Sequence, residues 1–126
     1  MTLAAPCLAN PQANLIELAE ARFDEQLATL SGFWVVAVQH VEHTRQSGAD
    51  NTSSVLRELA ARFSSGPQVG VAIVRTRPGS ALTRSHLIQW FPTSLFVRGG
   101  VEIGRLAGAR PYHQYVLALE SCLAAF

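Results

Sequence analysis

The two cysteines are the residues whose chemistry is easiest to judge from this 126-residue sequence. Cys7 stands near the beginning of the chain and Cys122 near its end, and neither belongs to a C-x-x-C pair. Such a pair exchanges electrons with disulfides because a helix N-terminus lowers the pKa of its first thiol. The chain therefore cannot perform dithiol–disulfide exchange on its own.

Other residue types suggest a metal site, a nucleophile or a phosphate site, and each suggestion is weak. His40 and His43 flank Glu42, but a closed zinc site needs four ligands and no further ligand pair has suitable spacing. We therefore expect solvated loop histidines and no cofactor. His86 and His113 lack any nucleophile motif such as G-x-S-x-G. Gly99-Gly100 does not precede a helix, so a hairpin turn is the better interpretation than phosphate binding.

Composition indicates a compact protein and excludes several kinds of partner. The chain is 48% hydrophobic and 15% charged, with a net charge of +1. Its basic residues are all arginine and are scattered, which argues against nucleic-acid binding. No apolar run approaches the ~20 residues that cross a membrane. Residues 1–11 lack a basic residue and do not resemble a secretory signal, and two unpaired cysteines suit a reducing compartment, so we expect a cytoplasmic protein.

Hydrophobic spacing predicts nine elements in the order β-α-β-α-β-α-β-β-α. Phe33–Val38 and Val69–Val74 are apolar at consecutive positions, as in strands that are covered on both faces. Gly99-Gly100 predicts a two-residue hairpin turn. The predicted elements are strands at 14–18, 33–38, 69–74, 94–97 and 101–106, and helices at 20–30, 55–63, 81–90 and from Pro111 onwards.

This order predicts one α/β domain with a mixed central sheet and helices on both faces. A βαβ half with parallel strands would be followed by a half made of a β-hairpin and a helix. We expect residues 1–126 to form this single domain, with residues 1–12 as a flexible N-terminal arm. Cys7 on that arm is expected to be an ordinary surface thiol, with a regulatory intermolecular disulfide as the alternative. Cys122 lies on the apolar stripe of the last helix and is expected to pack as a small hydrophobe.

The stretch FPTSLFVRGGVEIGRLAG, at 91–108, resembles the second half of thioredoxins. The resemblance implies a thioredoxin-like fold, and it implies that Pro92 follows a cis peptide bond and lines a groove. Thioredoxins carry C-x-x-C after the second strand, where this chain has a polar loop at 41–51 without sulfur. We therefore expect a groove that is kept for binding and not for redox catalysis.

Among thioredoxin-like proteins without the pair, the chain is most similar to the HyaE/HupG/HoxO family of [NiFe]-hydrogenase accessory proteins. The resemblance rests on Asp50-Asn51 before a helix, on the Phe-Pro-x-T/S-Leu entry at 91–95, and on the glycine-rich hairpin with its final helix. It covers roughly residues 20–123. It implies a non-enzymatic chaperone that binds the twin-arginine signal peptide of the hydrogenase small-subunit precursor.

The candidate groove consists of acidic and amide side chains on one side and apolar ones on the other. Opposite charge would steer and orient a basic peptide, and Asp50 and Asn51 have helix capping as their alternative role. Trp34 is a further apolar candidate, although a central strand favours a core position for it. The expected groove residues are Glu42, Asp50, Asn51, Trp90, Phe91 and Pro92.

Two other functions remain open from the sequence. The first is a redox-inactive thioredoxin-like scaffold that binds an unrelated protein. The second is a monothiol reductase using Cys7, which an arm without a helix dipole or fixed geometry makes the weaker hypothesis.

Overall fold

The computed structural model describes residues 15–41, 55–59 and 69–125, which build a five-stranded mixed α/β sheet with helices on both faces. A single 3-10 turn at Glu20–Arg22 leads into the first helix. The elements are β1 (Leu15–Leu18), α1 (Phe23–Thr29), β2 (Phe33–His40), α2 (helical residues 55–59), β3 (Val69–Thr76), α3 (Ala81–Ser85), β4 (Thr93–Arg98), β5 (Val101–Ala107) and α4 (Tyr112–Ala125).

The sheet has the strand order β1-β3-β2-β4-β5. β1 and β2 both run parallel to β3, whereas β4 runs antiparallel to β2 and β5 antiparallel to β4. β2 and β3 are the inner parallel strands, and their apolar runs are buried on both sides because helices cover both faces. The predicted parallel half and hairpin half are therefore confirmed.

Two apolar cores lie on opposite faces of the sheet. Alternate residues of each inner strand point to opposite faces, so Val35 joins one core while Val36 joins the other. α2 and α4 cover the first face, and its core is formed chiefly by Phe33, Val35, Leu56, Leu59, Val71, Phe96, Tyr115 and Leu119. α1 and α3 cover the second face, and its core is formed chiefly by Phe23, Leu27, Val36, Val38, Ala72, Val74, Leu82, Ile88, Leu95 and Val97.

The β4–β5 hairpin turns at Gly99 and Gly100, whose φ angles are +58° and +85°. Positive φ at both central residues is the geometry that a tight hairpin needs and that glycine adopts without steric cost. The predicted turn is therefore confirmed. The register shifts between Phe96 and Val97, which leaves one extra residue, Ile103, as a bulge in β5, one of the two edge strands. Bulges of this kind discourage edge-to-edge pairing.

Several predicted boundaries differ from the structure. The helix predicted at 81–90 is wrong in extent, because α3 ends at Ser85 and Leu87 adopts φ +55°. The Ile88 N–H then donates to the Thr83 carbonyl at 2.8 Å, which closes the helix end. β2 and β3 each continue two residues beyond their predicted ends. The predicted arm at 1–12, the polar loop at 42–51 and the end of the second helix lie outside the described residues.

Candidate functional site

The candidate site lies at the sheet edge where β2 and β3 end and β4 begins. Because β2 pairs with β3 in parallel and with β4 in antiparallel, His40, Thr76 and Pro92 come to the same edge. The Phe91–Pro92 peptide bond is cis, as the resemblance implies. The Pro92 carbonyl accepts a 2.7 Å hydrogen bond from the Gly108 N–H, which ties the entrance of β4 to the exit of β5.

Aromatic side chains line this edge beside Pro92. The His40 and Phe91 rings meet edge to face, with centroids 5.4 Å apart and an interplanar angle of 78°. Phe91 also packs against the core under α1 and α3. Trp90 is 63% exposed, and its carbonyl accepts a 2.7 Å hydrogen bond from the Thr93 hydroxyl. The edge therefore carries one contact between two partly buried rings, those of His40 and Phe91, and one large exposed aromatic side chain, that of Trp90.

The structure describes half of the predicted groove residues. Trp90, Phe91 and Pro92 are consecutive and lie at the edge described above. Glu42, Asp50 and Asn51 lie outside the described residues, so their position beside Pro92 stays a prediction.

Trp34 does not belong to this edge. It is the second residue of β2 and lies six positions before His40, or about 20 Å away at the usual rise. Its indole N–H donates to the Ser31 carbonyl at 2.9 Å, and its ring packs over the β3 backbone at Gly70. Trp34 is half-buried and packs against the core under α1 and α3, which agrees better with the core interpretation than with a place in the groove.

A buried amide lies next to the aromatic edge, and the sequence analysis did not single it out. Gln39 is 2% exposed and follows Val38, which pairs with Thr93, so it stands beside Pro92. Within the described part of the chain, neither its amide oxygen nor its amide nitrogen has a hydrogen-bond partner. A buried amide without hydrogen bonds destabilises the folded protein. In the sequence, a polar residue directly after the apolar run Phe33–Val38 is the feature that could have identified it.

A network of hydroxyl groups covers the end of β3 on the α3 side. The Thr76 hydroxyl donates to the Glu20 carboxylate at 2.6 Å and lies 2.7 Å from the Ser80 hydroxyl. Ser80 in turn caps α3 by accepting from the Thr83 N–H at 3.2 Å. Because these bonds satisfy helix and strand ends, the network is structural and holds α3 against the sheet.

The histidines occupy separate places. His86 lies 2.6 Å from the Asp24 carboxylate and meets the Phe23 ring edge to face, whereas His40 contacts Phe91. His43 lies outside the described residues. Among residues 15–41, 55–59 and 69–125, no three His, Cys, Asp or Glu side chains converge as metal ligands would.

Cys122 is the cysteine within the described residues, and it is partly buried on α4. It packs against the core under α2 and α4, as predicted from the apolar stripe. Burial raises the pKa of its thiol above the ordinary value. Since the thiolate is the reactive form, this environment works against redox chemistry at Cys122.

We expect Cys122 to react slowly with thiol reagents. In a Cys7→Ser variant at pH 8, labelling by DTNB should be at least tenfold slower than in the same protein unfolded in urea, because burial limits both access and ionisation. Stopped-flow absorbance measures both rates. Equal rates would show that the thiol is freely accessible and would reopen a redox role for α4.

No helix within the described ranges is both long and apolar enough to cross a membrane. No protein-family model matches the chain, and a search of curated proteins finds no similar sequence. The structure and the sequence pattern therefore carry the functional argument.

Proposed function

We propose that this protein is a redox-inactive, thioredoxin-like accessory chaperone of [NiFe]-hydrogenase maturation. Its ligand would be the twin-arginine signal peptide of the hydrogenase small-subunit precursor. The observation that carries the proposal is the position of Pro92, directly before β4 and beside the end of β2, in a chain without cysteine between residues 8 and 121. In a thioredoxin-like fold this place would be the groove, kept for binding without the reactive cysteine pair.

The architecture supports the thioredoxin-like part of the proposal. The strand order is β1-β3-β2-β4-β5, with β4 and β5 antiparallel to their neighbours. α2 and α4 pack on one face of the sheet, and α1 and α3 pack on the other. A thioredoxin-like fold requires this arrangement of a parallel half and a hairpin half, and β2 then ends beside Pro92.

The proposed binding mode divides the ligand into a basic part and an apolar part. Glu42, Asp50 and Asn51, which only the sequence places near the groove, would accept charge-assisted hydrogen bonds from the two guanidinium groups. Trp90 and Phe91 would contact the apolar stretch that follows. Opposite charge speeds and orients association, and apolar burial provides affinity.

Co-purification with a hydrogenase small-subunit precursor tests the proposal. We expect the tagged protein to recover the full-length precursor at least tenfold better than the mature subunit without its signal peptide. A precursor whose twin arginines are replaced by lysines is the matched control, because lysine keeps the charge but cannot form the bidentate contacts of arginine. That control should be recovered less well than the native precursor.

Equal recovery of precursor and mature subunit would contradict the signal-peptide mechanism. Failure to recover either form would favour a thioredoxin-like scaffold with an unrelated partner. An insulin-reduction assay addresses the enzymatic alternative, and turnover that disappears in the Cys7→Ser variant would establish a monothiol reductase.

A further inference from the structure

Within the described part of the chain, the buried side-chain nitrogen and oxygen atoms that lack a hydrogen-bond partner belong to two residues. They are the amide nitrogen and oxygen of Gln39 and Nε of Arg75. Gln39 on β2 and Arg75 on β3 stand directly opposite each other in the parallel register. Most buried polar groups in folded proteins have partners, so the concentration of unpaired atoms in one cross-strand pair needs a physical reason.

The Gln39–Arg75 pair lies near the carboxyl ends of the two inner parallel strands. Ala37 and Ile73, two residues earlier on each strand, belong to the core under α2 and α4, so Gln39 and Arg75 point to that same face. β2 leads to α2 on this face, whereas β3 leads to α3 on the opposite face. In open α/β sheets, ligands bind at the carboxyl ends of strands where the connections diverge in this way.

The chemistry of the pair favours a neutral ligand that both donates and accepts hydrogen bonds. One terminal guanidinium nitrogen of Arg75 contacts the Glu17 carboxylate on β1, which balances the positive charge. Nε of Arg75 can donate, and the Gln39 amide can donate and accept. A carboxylate would pair with the donors and leave the Gln39 oxygen unsatisfied. A peptide main chain satisfies both kinds of group, because the N–H and C=O of one extended residue point to the same side.

Pro92 explains why the chain itself does not supply the missing donor on the β4 side. Thr93 pairs with Val38, so Pro92 stands beside Gln39. Proline has no N–H, and the Pro92 carbonyl already accepts from the Gly108 N–H at 2.7 Å. An extended segment that runs past Pro92 would bring the N–H that the Gln39 oxygen lacks.

We propose that the Gln39 amide, together with Nε of Arg75, binds the main chain of an extended peptide at the end of β2 beside Pro92. Gln39 is 2% exposed in the free protein, and rotation about the torsions of its long, unbranched side chain brings the amide to the ligand. The unpaired amide destabilises the free protein, and functional sites commonly keep residues that lower stability. This inference deepens the proposed function and rests on it for the identity of the peptide.

Gln39→Met separates binding from folding, because methionine keeps the length of the side chain and removes the amide. We expect Tm to rise by about 4 °C, since an apolar group replaces a buried amide without partners. Gln26→Met is the matched control, because the Gln26 side chain on α1 accepts a 2.7 Å hydrogen bond from the Ala19 N–H. This control should lower Tm and leave peptide binding unchanged. A fall in Tm for Gln39→Met would overturn the proposal, because the amide would then have a partner within the folded chain.

The binding experiment uses fluorescence anisotropy with a synthetic twin-arginine signal peptide and with a series of the same peptide N-methylated at one residue at a time. Gln39→Met should bind the unmodified peptide at least tenfold more weakly than wild type. At one position, N-methylation should weaken binding to wild type by a similar factor and leave Gln39→Met nearly unchanged, because it removes the N–H that donates to Gln39. Equal losses in both proteins at every position, or wild-type affinity of Gln39→Met, overturns the main-chain site.

A scrambled peptide of the same composition distinguishes this proposal from the proposed function. If both peptides bind through Gln39 but co-purification does not discriminate precursor from mature subunit, the main-chain site stands and the signal-peptide function fails. If co-purification discriminates while Gln39→Met binds as wild type does, the function stands and the main-chain site fails. Absence of binding of either peptide by wild type also overturns the site.

Discussion

Replacing Gly70 with alanine is expected to lower the free energy of unfolding by about 2–3 kcal/mol, the upper part of the range for overpacking a well-packed position. Gly70 on β3 pairs directly with Trp34 on β2. A Cβ at Gly70 would lie 2.6 Å from Cε3 of the indole, closer than real Cβ contacts come. The indole cannot move away freely, because its N–H donates to the Ser31 carbonyl. Relief of the clash therefore either breaks this hydrogen bond or shifts the two central strands.

Urea unfolding followed by tryptophan fluorescence measures this effect. Gly104→Ala is the matched control, because Gly104 also lies in a strand but its added Cβ would come no closer than 3.4 Å to Cys122 Sγ. We expect that control to change stability by less than about 1 kcal/mol. In a Trp34→Val background, Gly70→Ala should lose most of its cost, and equal costs in the two backgrounds would contradict the clash.

The Trp34–Gly70 contact illustrates which features of the fold can be predicted from sequence. Both strands are evident from consecutive apolar residues, and the hairpin is evident from Gly99-Gly100. Gly70 lies under Trp34 because of the register between β2 and β3, which are distant in sequence. This register is set by the packing of the whole sheet. Local patterns therefore predict the elements, while contacts between them need the structure.

The candidate site also contains features that local patterns predict and features that they do not. Phe91 and Pro92 were predicted through resemblance, since no local pattern distinguishes a cis from a trans proline. The end of α3 is a second example: apolar spacing predicts a helix that continues past Ser85, whereas the chain turns at Leu87, whose carbonyl accepts a hydrogen bond from Arg105, 18 residues away. A leucine in the left-handed region breaks a local preference, and such breaks cannot be predicted from preferences alone.

Replacing Tyr115 with alanine is expected to lower the free energy of unfolding by about 3–5 kcal/mol, the cost of deleting a fully buried aromatic ring. Tyr115 on α4 is 0% exposed and belongs to the core under α2 and α4. Its hydroxyl oxygen accepts a 3.2 Å hydrogen bond from the buried Ser94 hydroxyl. Because Ser94 comes two residues after Pro92, loss of the ring should also loosen the start of β4.

Tyr115→Phe is the matched control, because it keeps the ring and removes only the hydroxyl group, at a cost of about 1 kcal/mol.

Burial raises the pKa of Tyr115, with smaller opposing contributions from Ser94 and Arg110. The folded protein therefore holds this proton more tightly than the unfolded chain, so its contribution is complete below pH 10 and falls as pH rises further. Urea unfolding at pH 8 and pH 11 should show a decline in the free energy of unfolding that Tyr115→Phe reduces. An identical decline in wild type and Tyr115→Phe would contradict the assignment, and a Tyr115→Ala protein as stable as Tyr115→Phe would contradict the role of the ring.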